Sequence, residues 1–306
     1  MYLRLLRPLN LFIVALTQYL LEFLLLIPVF TTHQITPALD VPRFLLLVLS
    51  TVLIAAGGYV INDIADREID RINKPERRII GRLLSVRAAW RYYFILFFVG
   101  FIISLYLAVY IENVPLSGIY PAAWLLLYWY SVNFKQRPVI GNVTVAVFCA
   151  LVAGIVWFAE RDAYFTLGEI APLAQMHLRT LLLVYMYFAF VSTLYREIIK
   201  DLEDYRGDAE NFCRTLPIVA GVKAAKATAF CCGLFFLAGL VWVYVYFAAE
   251  GKDTWFVLTF ITVSMLLPLL YSLYLTVMSE SPADYGRNSR LAKVLMLAGI
   301  LLLFFF

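Results

Sequence analysis

Nine apolar stretches, each long enough to cross a lipid bilayer, constrain this chain more than any other feature of its sequence. A helix needs about 20 mostly apolar residues to span the hydrocarbon core. The predicted spans are 11–30, 44–62, 90–111, 115–133, 140–159, 179–197, 217–249, 254–278 and 291–306. The seventh stretch is longer than one span needs, so we expect it to begin in a loop or to tilt.

The composition supports a membrane protein and argues against other classes. Hydrophobic residues make up 63% of the 306 residues and charged residues 15%, whereas soluble domains are about half apolar and about a quarter charged. The net charge of +4 could suggest nucleic acid, but the basic residues lie in short loops, where they report membrane orientation. Four cysteines and two histidines without paired metal-ligand spacing argue against a zinc site, a haem or a disulfide framework.

The basic residues divide unevenly between the two sides of the membrane that nine spans create. Arg43, Arg161, Arg179 and Lys252 fall on one side, and the other 21 of the 25 Lys and Arg fall on the opposite side. Short cytoplasmic loops carry the excess of Lys and Arg. We therefore expect an integral multi-pass protein with a cytoplasmic N-terminus and a C-terminus on the outside.

Two acidic clusters stand out from this apolar background. The first lies in N-D-I-A-D-R-E-I-D-R-I-N-K-P-E-R-R-I-I-G-R, from Asn62 to Arg82, and the second in Y-R-E-I-I-K-D-L-E-D-Y-R-G-D, from Tyr195 to Asp208. Both fall on the predicted cytoplasmic side, four helices apart. The offset predicts an all-α fold of nine transmembrane helices around a central cavity, arranged as two four-helix halves plus a ninth helix within a single domain, 1–306.

Helical spacing places the acids of each cluster on one face. Asn62, Asp66 and Asp70 follow at i, i+4 and i+8, and Glu197, Asp201, Asp204 and Asp208 of the second cluster follow at i, i+4, i+7 and i+11. Like charges at this spacing repel one another, and a divalent cation would relieve the repulsion. Either cluster alone could be a solvated helix end whose acids pair with nearby Lys and Arg. Their shared side and matching helical phase argue for a common function.

Oxygen ligands without histidine or cysteine favour a hard ion, and Mg²⁺ typically combines one or two carboxylates with water and substrate phosphate oxygens. Two acidic faces could therefore hold a diphosphate through Mg²⁺. Nearby basic residues could neutralise the remaining charge: Arg67, Arg71, Lys74, Arg77, Lys135, Arg137 and Lys200. A diphosphate at a membrane surface implies a lipid diphosphate as substrate.

Several motifs together resemble the UbiA superfamily of intramembrane prenyltransferases. Asn62 to Asp70 fits N-D-x-x-D-x-x-x-D, and Asp204 to Asp208 fits D-x-x-x-D. The R-P-x-N motif at Arg7, and Y-S-V-N-F-K-Q-R-P-V-I-G-N from Tyr130 to Asn142, are similar to the family as well. With nine spans, the resemblance covers nearly the whole chain.

The resemblance implies that the two motifs bind two Mg²⁺ ions and an isoprenyl diphosphate. The metal ligands would be Asn62, Asp66, Asp70, Asp204 and Asp208, with Asp201 as a further ligand. The resemblance also implies that Tyr130, Ser131, Lys135 and Arg137 approach the diphosphate or the allylic carbon and that Asn10 lines the acceptor pocket. Arg67 and Lys200, the basic neighbours of the acids, complete the expected substrate-binding set. Asp66, Asp70, Asp204, Asp208 and Tyr130 form the expected catalytic set.

The expected reaction is ionisation of the prenyl diphosphate and attack of an acceptor on the allylic cation, for which Tyr130 offers an aromatic face. The run from Asp70 to Ser85 is most similar to the branch that geranylgeranylates geranylgeranylglyceryl phosphate, although Arg78 and Ile80 depart from that branch. An aromatic or quinone precursor is the alternative acceptor. Cyclisation of the donor itself and membrane transport are more distant alternatives. No nucleic acid partner is expected, and the sequence leaves the oligomeric state open.

Overall fold

The structure is a computed structural model that describes residues 2–68, 79–210, 212–250 and 254–305. The regular secondary structure of these residues is helical, apart from an isolated bridge between Ile80 and Leu84. The all-α prediction is confirmed.

Fourteen α-helices, joined by two π-helical and two 3₁₀ segments, are present in the described parts of the chain. Their bounds are α1 Tyr2–Leu5, α2 Pro8–Leu20, α3 Ile27–Thr32, α4 Val41–Ala65, α5 Val86–Tyr110, α6 Val114–Val132, α7 Ile140–Ala159, α8 Arg161–Ile170, α9 Pro172–Glu210, α10 Leu216–Val219, α11 Val222–Glu250, α12 Trp255–Ile261, α13 Leu267–Met278 and α14 Pro282–Leu301. The π-helical segments Leu21–Leu26 and Thr262–Leu266 connect α2 to α3 and α12 to α13, and the 3₁₀ segments are Phe134–Gln136 and Leu302–Phe305.

Eight helical stretches among the described residues are long and apolar enough to cross a membrane. They coincide with eight of the nine predicted spans, so the chain is an integral multi-pass membrane protein. The fourth predicted span, 115–133, corresponds to α6, a 19-residue helix. Helix α6 contains several Tyr and Trp side chains and two prolines, and it is not among the eight.

The chain forms two compact units. The first unit contains Met1–Phe134 and Val152–Arg179, and the second contains Lys135–Leu151 and Thr180–Phe306. Helices α7 and α9 contribute residues to both units. The first four predicted spans belong to the first unit and the last three to the second, close to the predicted division into halves. A single domain over 1–306 stays a prediction.

Helices α4, α5 and α6 form the centre of the first unit. A Cβ atom on Gly100 of α5 would lie 3.3 Å from the Ser50 carbonyl oxygen of α4, and the Ser50 hydroxyl donates to the Gly100 carbonyl at 2.7 Å. Small residues allow membrane helices to approach this closely. The stacked rings of Tyr93 and Trp124, 5.3 Å apart, join α5 to α6.

The connection between α3 and α4 is fixed by a buried carboxylate. Glu160, between α7 and α8, accepts hydrogen bonds from the backbone N–H groups of Ala38 at 2.7 Å and Leu39 at 2.9 Å. Burial raises the pKa of Glu160, and the two N–H donors act in the opposite direction. Asp40 then caps α4 by accepting from the Arg43 N–H at 3.1 Å.

The second unit is held by apolar packing and a buried polar network. Tyr195 of α9 shares hydrogen bonds with the hydroxyl oxygens of Ser272 at 2.7 Å and Thr276 at 2.9 Å, both on α13. Asn288 of α14 accepts from Ser272 at 2.5 Å and donates to Thr276 at 2.9 Å. All four side chains are buried, so the network joins three helices in a fixed arrangement.

Two features of the second unit matter for the site. Helix α9 has 39 residues, which is about 58 Å at the helical rise per residue, whereas the hydrocarbon core is about 30 Å thick. The second acidic cluster therefore lies on the helix itself rather than on a loop.

The seventh predicted span begins with the short helix α10. A turn at Gly221 follows, where φ is +86°, and α11 starts after it.

Candidate active site

The first acidic cluster lies at the end of α4. The Asn62 side-chain amide donates to a carboxylate oxygen of Asp66 at 3.0 Å, and the Asp66 backbone N–H donates to the Asn62 carbonyl at 2.9 Å. Helix α4 ends at Ala65, and Asp66 is its C-cap. The two side chains share a face, as their spacing predicts. Asp70 lies outside the described residues.

The N-terminal segment is attached to this end of α4 through Arg7. Its guanidinium forms an ion pair with Asp63 at 3.0 Å and lies over the ring of Tyr59, 5.0 Å from its centroid. Arg7 precedes α2 in a left-handed conformation, with φ +50°. Arg7 was not among the predicted site residues, although the R-P-x-N motif was a signal for it.

Four other predicted residues belong to the first unit. Arg67 forms an ion pair with its neighbour Glu68 at 2.7 Å, and the buried Ser131 hydroxyl donates to the Leu127 carbonyl of its own helix at 2.9 Å. Asn10 in α2 and Tyr130 in α6 are half-buried. The structure therefore gives Ser131 an intrahelical partner, and the predicted roles of all four residues remain proposals.

The second acidic cluster lies along α9 in the second unit. The Asn142 side-chain amide of α7 donates to a carboxylate oxygen of Asp201 at 2.8 Å. Glu197 and Asp208 are like charges close to Asp201, and Lys200 is an opposite charge. Asp204 and Asp208 are half-buried. The structure thus places Glu197, Asp201, Asp204 and Asp208 on the single helix α9, and their roles remain predictions.

Asn142 is a site residue that sequence reasoning missed. It is buried in the first turn of α7, 59 positions before its partner Asp201. The signal was its place at the end of the Tyr130 to Asn142 motif, but the spacing of a motif does not reveal a contact with another helix.

The predicted basic residues Lys135 and Arg137 lie in and just after the 3₁₀ segment between α6 and α7. Lys135 is half-buried, and Arg137 is exposed. The Arg214 backbone N–H, just beyond α9, donates to the Gln136 carbonyl at 3.0 Å. This bond attaches the segment that carries Lys135 to the chain that leaves the acidic end of α9.

The donor atoms of both clusters suit a hard divalent cation, because they are carboxylate and amide oxygens. Among the described residues, no three Asp, Glu, His or Cys side chains converge as a preformed metal cluster. Asn62 and Asp66 in the first unit, and Asp201, Asp204 and Asp208 in the second, carry oxygen donors of this kind.

The sequence profile described as the UbiA prenyltransferase family matches residues 10–305. The chain belongs to the UbiA prenyltransferase family. A digeranylgeranylglyceryl phosphate synthase of Sulfolobus acidocaldarius is 38% identical over 194 residues, which are 63% of this chain and 62% of that relative. This chain therefore spans less than two thirds of the length of the Sulfolobus relative. A synthase of the same name from Methanoculleus marisnigri is 35% identical over 78% of this chain and 81% of its own.

Solved structures of UbiA proteins share the fold. A structure reported for digeranylgeranylglyceryl phosphate synthase in membranes has a TM-score of 0.63 at 24% identity, covering 100% of this chain and 98% of that one. A UbiA homologue from Archaeoglobus fulgidus bound to DMAPP and Mg²⁺ has a TM-score of 0.53 at 19% identity, covering 100% and 99%. These likenesses establish the fold of this UbiA chain.

Proposed function

We propose that this chain catalyses the Mg²⁺-dependent transfer of a prenyl group from a prenyl diphosphate to a lipophilic acceptor. The best candidate for the acceptor is geranylgeranylglyceryl phosphate, with geranylgeranyl diphosphate as donor. The observation that carries the proposal is the acidic face of α9, where the Asn142 amide orients Asp201, in a chain of the UbiA family. Relatives named digeranylgeranylglyceryl phosphate synthase support the choice of acceptor.

The proposed metal ligands are Asn62, Asp66 and Asp70 for one Mg²⁺ ion and Asp201, Asp204 and Asp208 for a second. When bound, Mg²⁺ would stabilise the negative charge that develops on the leaving diphosphate. The amides of Asn62 and Asn142 hold one carboxylate in each cluster in a defined orientation. Both clusters take part in the same reaction under this proposal.

The protein's own cations and aromatic rings account for the remaining steps. Arg67, Lys135, Arg137 and Lys200 bind phosphate oxygens of the donor. The C1–O bond of the donor breaks, its electron pair leaves with the diphosphate, and the ring face of Tyr130 stabilises the allylic cation. The acceptor hydroxyl, positioned beside Asn10, then forms the new C–O bond and loses its proton to the departed diphosphate. Digeranylgeranylglyceryl phosphate and diphosphate are the products.

We also propose that the N-terminus and both acidic clusters face the cytoplasm. The excess of Lys and Arg in the loops on that side supports this orientation. The ion pair between Arg7 and Asp63 supports a common side for the N-terminal segment and the first acidic cluster.

The proposal is tested by offering purified protein geranylgeranyl diphosphate, Mg²⁺ and a mixture of geranylgeranylglyceryl phosphate and aromatic acceptors. We expect release of diphosphate and a product with the mass of digeranylgeranylglyceryl phosphate, both lost in chelator. A prenylated aromatic product would replace the proposed acceptor. A cyclised hydrocarbon, or no diphosphate release with any acceptor, would contradict prenyl transfer by this chain.

A further inference from the structure

The first membrane-spanning stretch carries a glutamate that is fully buried. Glu22 lies within the candidate span Pro8–Thr32, and its side chain has no solvent exposure. Neither of its carboxylate oxygens has a hydrogen-bond partner in the part of the chain that the structure describes. An ionisable residue inside a membrane span is costly, and it usually marks a functional site. Glu22 belongs to neither acidic cluster and therefore needs a partner of its own.

Gln18, four residues before Glu22, adds a third buried oxygen of this kind. Its side chain is fully buried, and its Oε1 atom accepts no hydrogen bond from the described residues. The side-chain amide nitrogen donates to the Thr51 hydroxyl of α4 and to the Val152 carbonyl of α7, both at 3.2 Å. These two bonds use both amide hydrogens and fix the orientation of Oε1. Because side chains one helical turn apart are neighbours, three acceptor oxygens without donors lie in one region.

Two contacts bracket Glu22 along α7. The Gln18 amide reaches the Val152 carbonyl one turn before Glu22. Farther along both stretches of chain, the Leu39 N–H donates to Glu160 at 2.9 Å, at the end of α7. The stretch that follows Gln18 therefore runs along α7 toward Glu160, whose charge acts on Glu22. Both oxygens of Glu160 already accept backbone N–H groups, so Glu22 is the carboxylate that lacks partners.

The backbone at Glu22 departs from the α-helix. Glu22 lies in the π-helical segment Leu21–Leu26, and the Ile27 N–H donates to the Glu22 carbonyl, five residues earlier. Single π-helical turns inside α-helices frequently occur at functional sites. The ring of the next residue, Phe23, packs against the ring of Phe44 in α4, with centroids 5.5 Å apart. The π-helical turn is therefore packed against α4 beside the buried carboxylate.

A single proton does not satisfy the three oxygens. A proton on one carboxylate oxygen of Glu22 is donated to one further acceptor, and the third oxygen still lacks a partner, which is unfavourable in a buried position. A metal cation contacts several oxygens at once and balances the charge of the carboxylate. One carboxylate balances a single positive charge. Mg²⁺ keeps several waters and loses them reluctantly, so a site without solvent exposure favours a monovalent cation.

We propose that Glu22 and Gln18 bind a monovalent alkali cation, Na⁺ or K⁺, beside α4 and α7. The site is separate from the acidic clusters: Glu22 follows Arg7 by 15 residues, about 22 Å along a helix, and Arg7 is paired with Asp63 next to the first cluster. The cation takes no part in prenyl transfer. It stabilises the first span against its neighbouring helices.

Thermal unfolding of the purified protein in detergent tests the site. Choline chloride is replaced by NaCl or KCl at constant ionic strength and neutral pH. We expect the midpoint to rise by about 5 °C at saturation, because a ligand that binds only the folded chain stabilises it. Glu22→Gln removes the charge with little change in shape and should lose this rise. Glu169→Gln, at an exposed position of α8 in the same unit, should respond as the wild type does.

Direct binding keeps the test valid if Glu22→Gln fails to fold. Binding of radioactive Na⁺ to the wild type is measured with Mg²⁺ in excess, so that the acidic clusters do not take up the label. We expect saturable binding that unlabelled Na⁺ or K⁺ displaces. Glu22→Asp, which keeps the carboxylate and shortens the side chain, should fold and bind the label more weakly than the wild type.

Three results would overturn the proposal. One is an equal response of the wild type and folded Glu22→Gln to NaCl and KCl, which is a general salt effect. Another is a wild-type midpoint that ignores both cations but falls as the pH rises, with Glu22→Gln insensitive to pH, which assigns a proton to Glu22 instead of a metal. The third is a folded wild type that shows no saturable Na⁺ binding.

Discussion

In each acidic cluster, a carboxylate is held by the side-chain amide of an asparagine. Asn62 donates to Asp66 at 3.0 Å, and Asn142 donates to Asp201 at 2.8 Å. An amide orients a carboxylate without cancelling its charge, whereas an ion pair with Lys or Arg would do both. Asp63, in the same motif as Asn62 and Asp66, forms an ion pair with Arg7.

Replacement of Asp204 by Asn should remove a proposed metal ligand while keeping the shape of the side chain. We expect turnover to fall about 100-fold or more, because charge stabilisation of the leaving group is lost. Diphosphate release measures the loss, and thermal unfolding should be nearly unchanged, since Asp204 is only half-buried. Asp162→Asn, at an exposed acid on α8, is the control. Turnover of Asp204→Asn close to wild type would contradict its role.

Replacement of Asn142 should disturb Asp201 without touching the substrate. Asn142→Ala removes the amide donor, and Asn142→Asp places a second carboxylate beside Asp201, where like charges repel. We expect the Mn²⁺ affinity, measured by electron paramagnetic resonance titration, to fall in Asn142→Ala. Asn142→Asp has two carboxylates side by side, so we expect its Mn²⁺ affinity to differ from that of Asn142→Ala. Equal affinities in the wild type and both variants would mean that Asn142 is purely structural.

At the scale of elements, the apolar stretches were sufficient to place the helices. The second span is predicted to end at residue 62, three residues before α4 ends at Ala65. The apolar pattern stops at the first polar residues, whereas the backbone hydrogen bonds of the helix continue beyond them. Helix α9 extends beyond its predicted span, 179–197, at both ends for the same reason. The π-helical segments in the first and eighth spans have no signal in hydropathy, since they depend on packing.

Contacts between helices were the part of the site that the sequence could not provide. The spacing of Glu197, Asp201 and Asp208 on one helix predicted that they share a face, and their charges do act on one another. The contact of Asn142 with Asp201 joins residues far apart in sequence. Periodicity along a helix carries no information about the partner across an interface.

The polar network of the second unit should contribute measurably to stability. Tyr195→Phe removes a buried hydroxyl bonded to Ser272 and Thr276, and loss of a partner for buried polar groups costs about 1–3 kcal/mol. We expect a lower midpoint of thermal unfolding in detergent. Tyr271→Phe, an exposed tyrosine on α13, should leave the midpoint unchanged. Equal midpoints for the wild type and Tyr195→Phe would show that the network is energetically neutral.

At the scale of the whole molecule, each compact unit contains one acidic cluster with its own supporting contacts. The first unit holds Asn62 and Asp66 at the end of a helix, and the second holds Asp201 to Asp208 along a helix. The family fold therefore distributes the proposed ligands over both parts of the chain, which agrees with the offset of the clusters in sequence.

The proposed orientation predicts which loops are reached from each side of the membrane. In a background without the four native cysteines, Thr36→Cys and Gln136→Cys place a thiol at exposed positions of two different connections. A membrane-impermeant maleimide applied to intact cells should label position 36 and should label position 136 only after permeabilisation. Labelling in the opposite pattern would invert the topology. Labelling of both after permeabilisation confirms that each thiol is reactive.

The continuity of α9 has a mechanical consequence. The span and the acidic cluster belong to one uninterrupted helix. A change in the tilt of the span therefore displaces Asp201, Asp204 and Asp208 together with the end of the helix. Membrane helices adjust their tilt to the thickness of the surrounding bilayer. Lipid chain length is thereby coupled to the position of the carboxylates, and the enzyme's lipid surroundings affect the geometry of its proposed metal ligands.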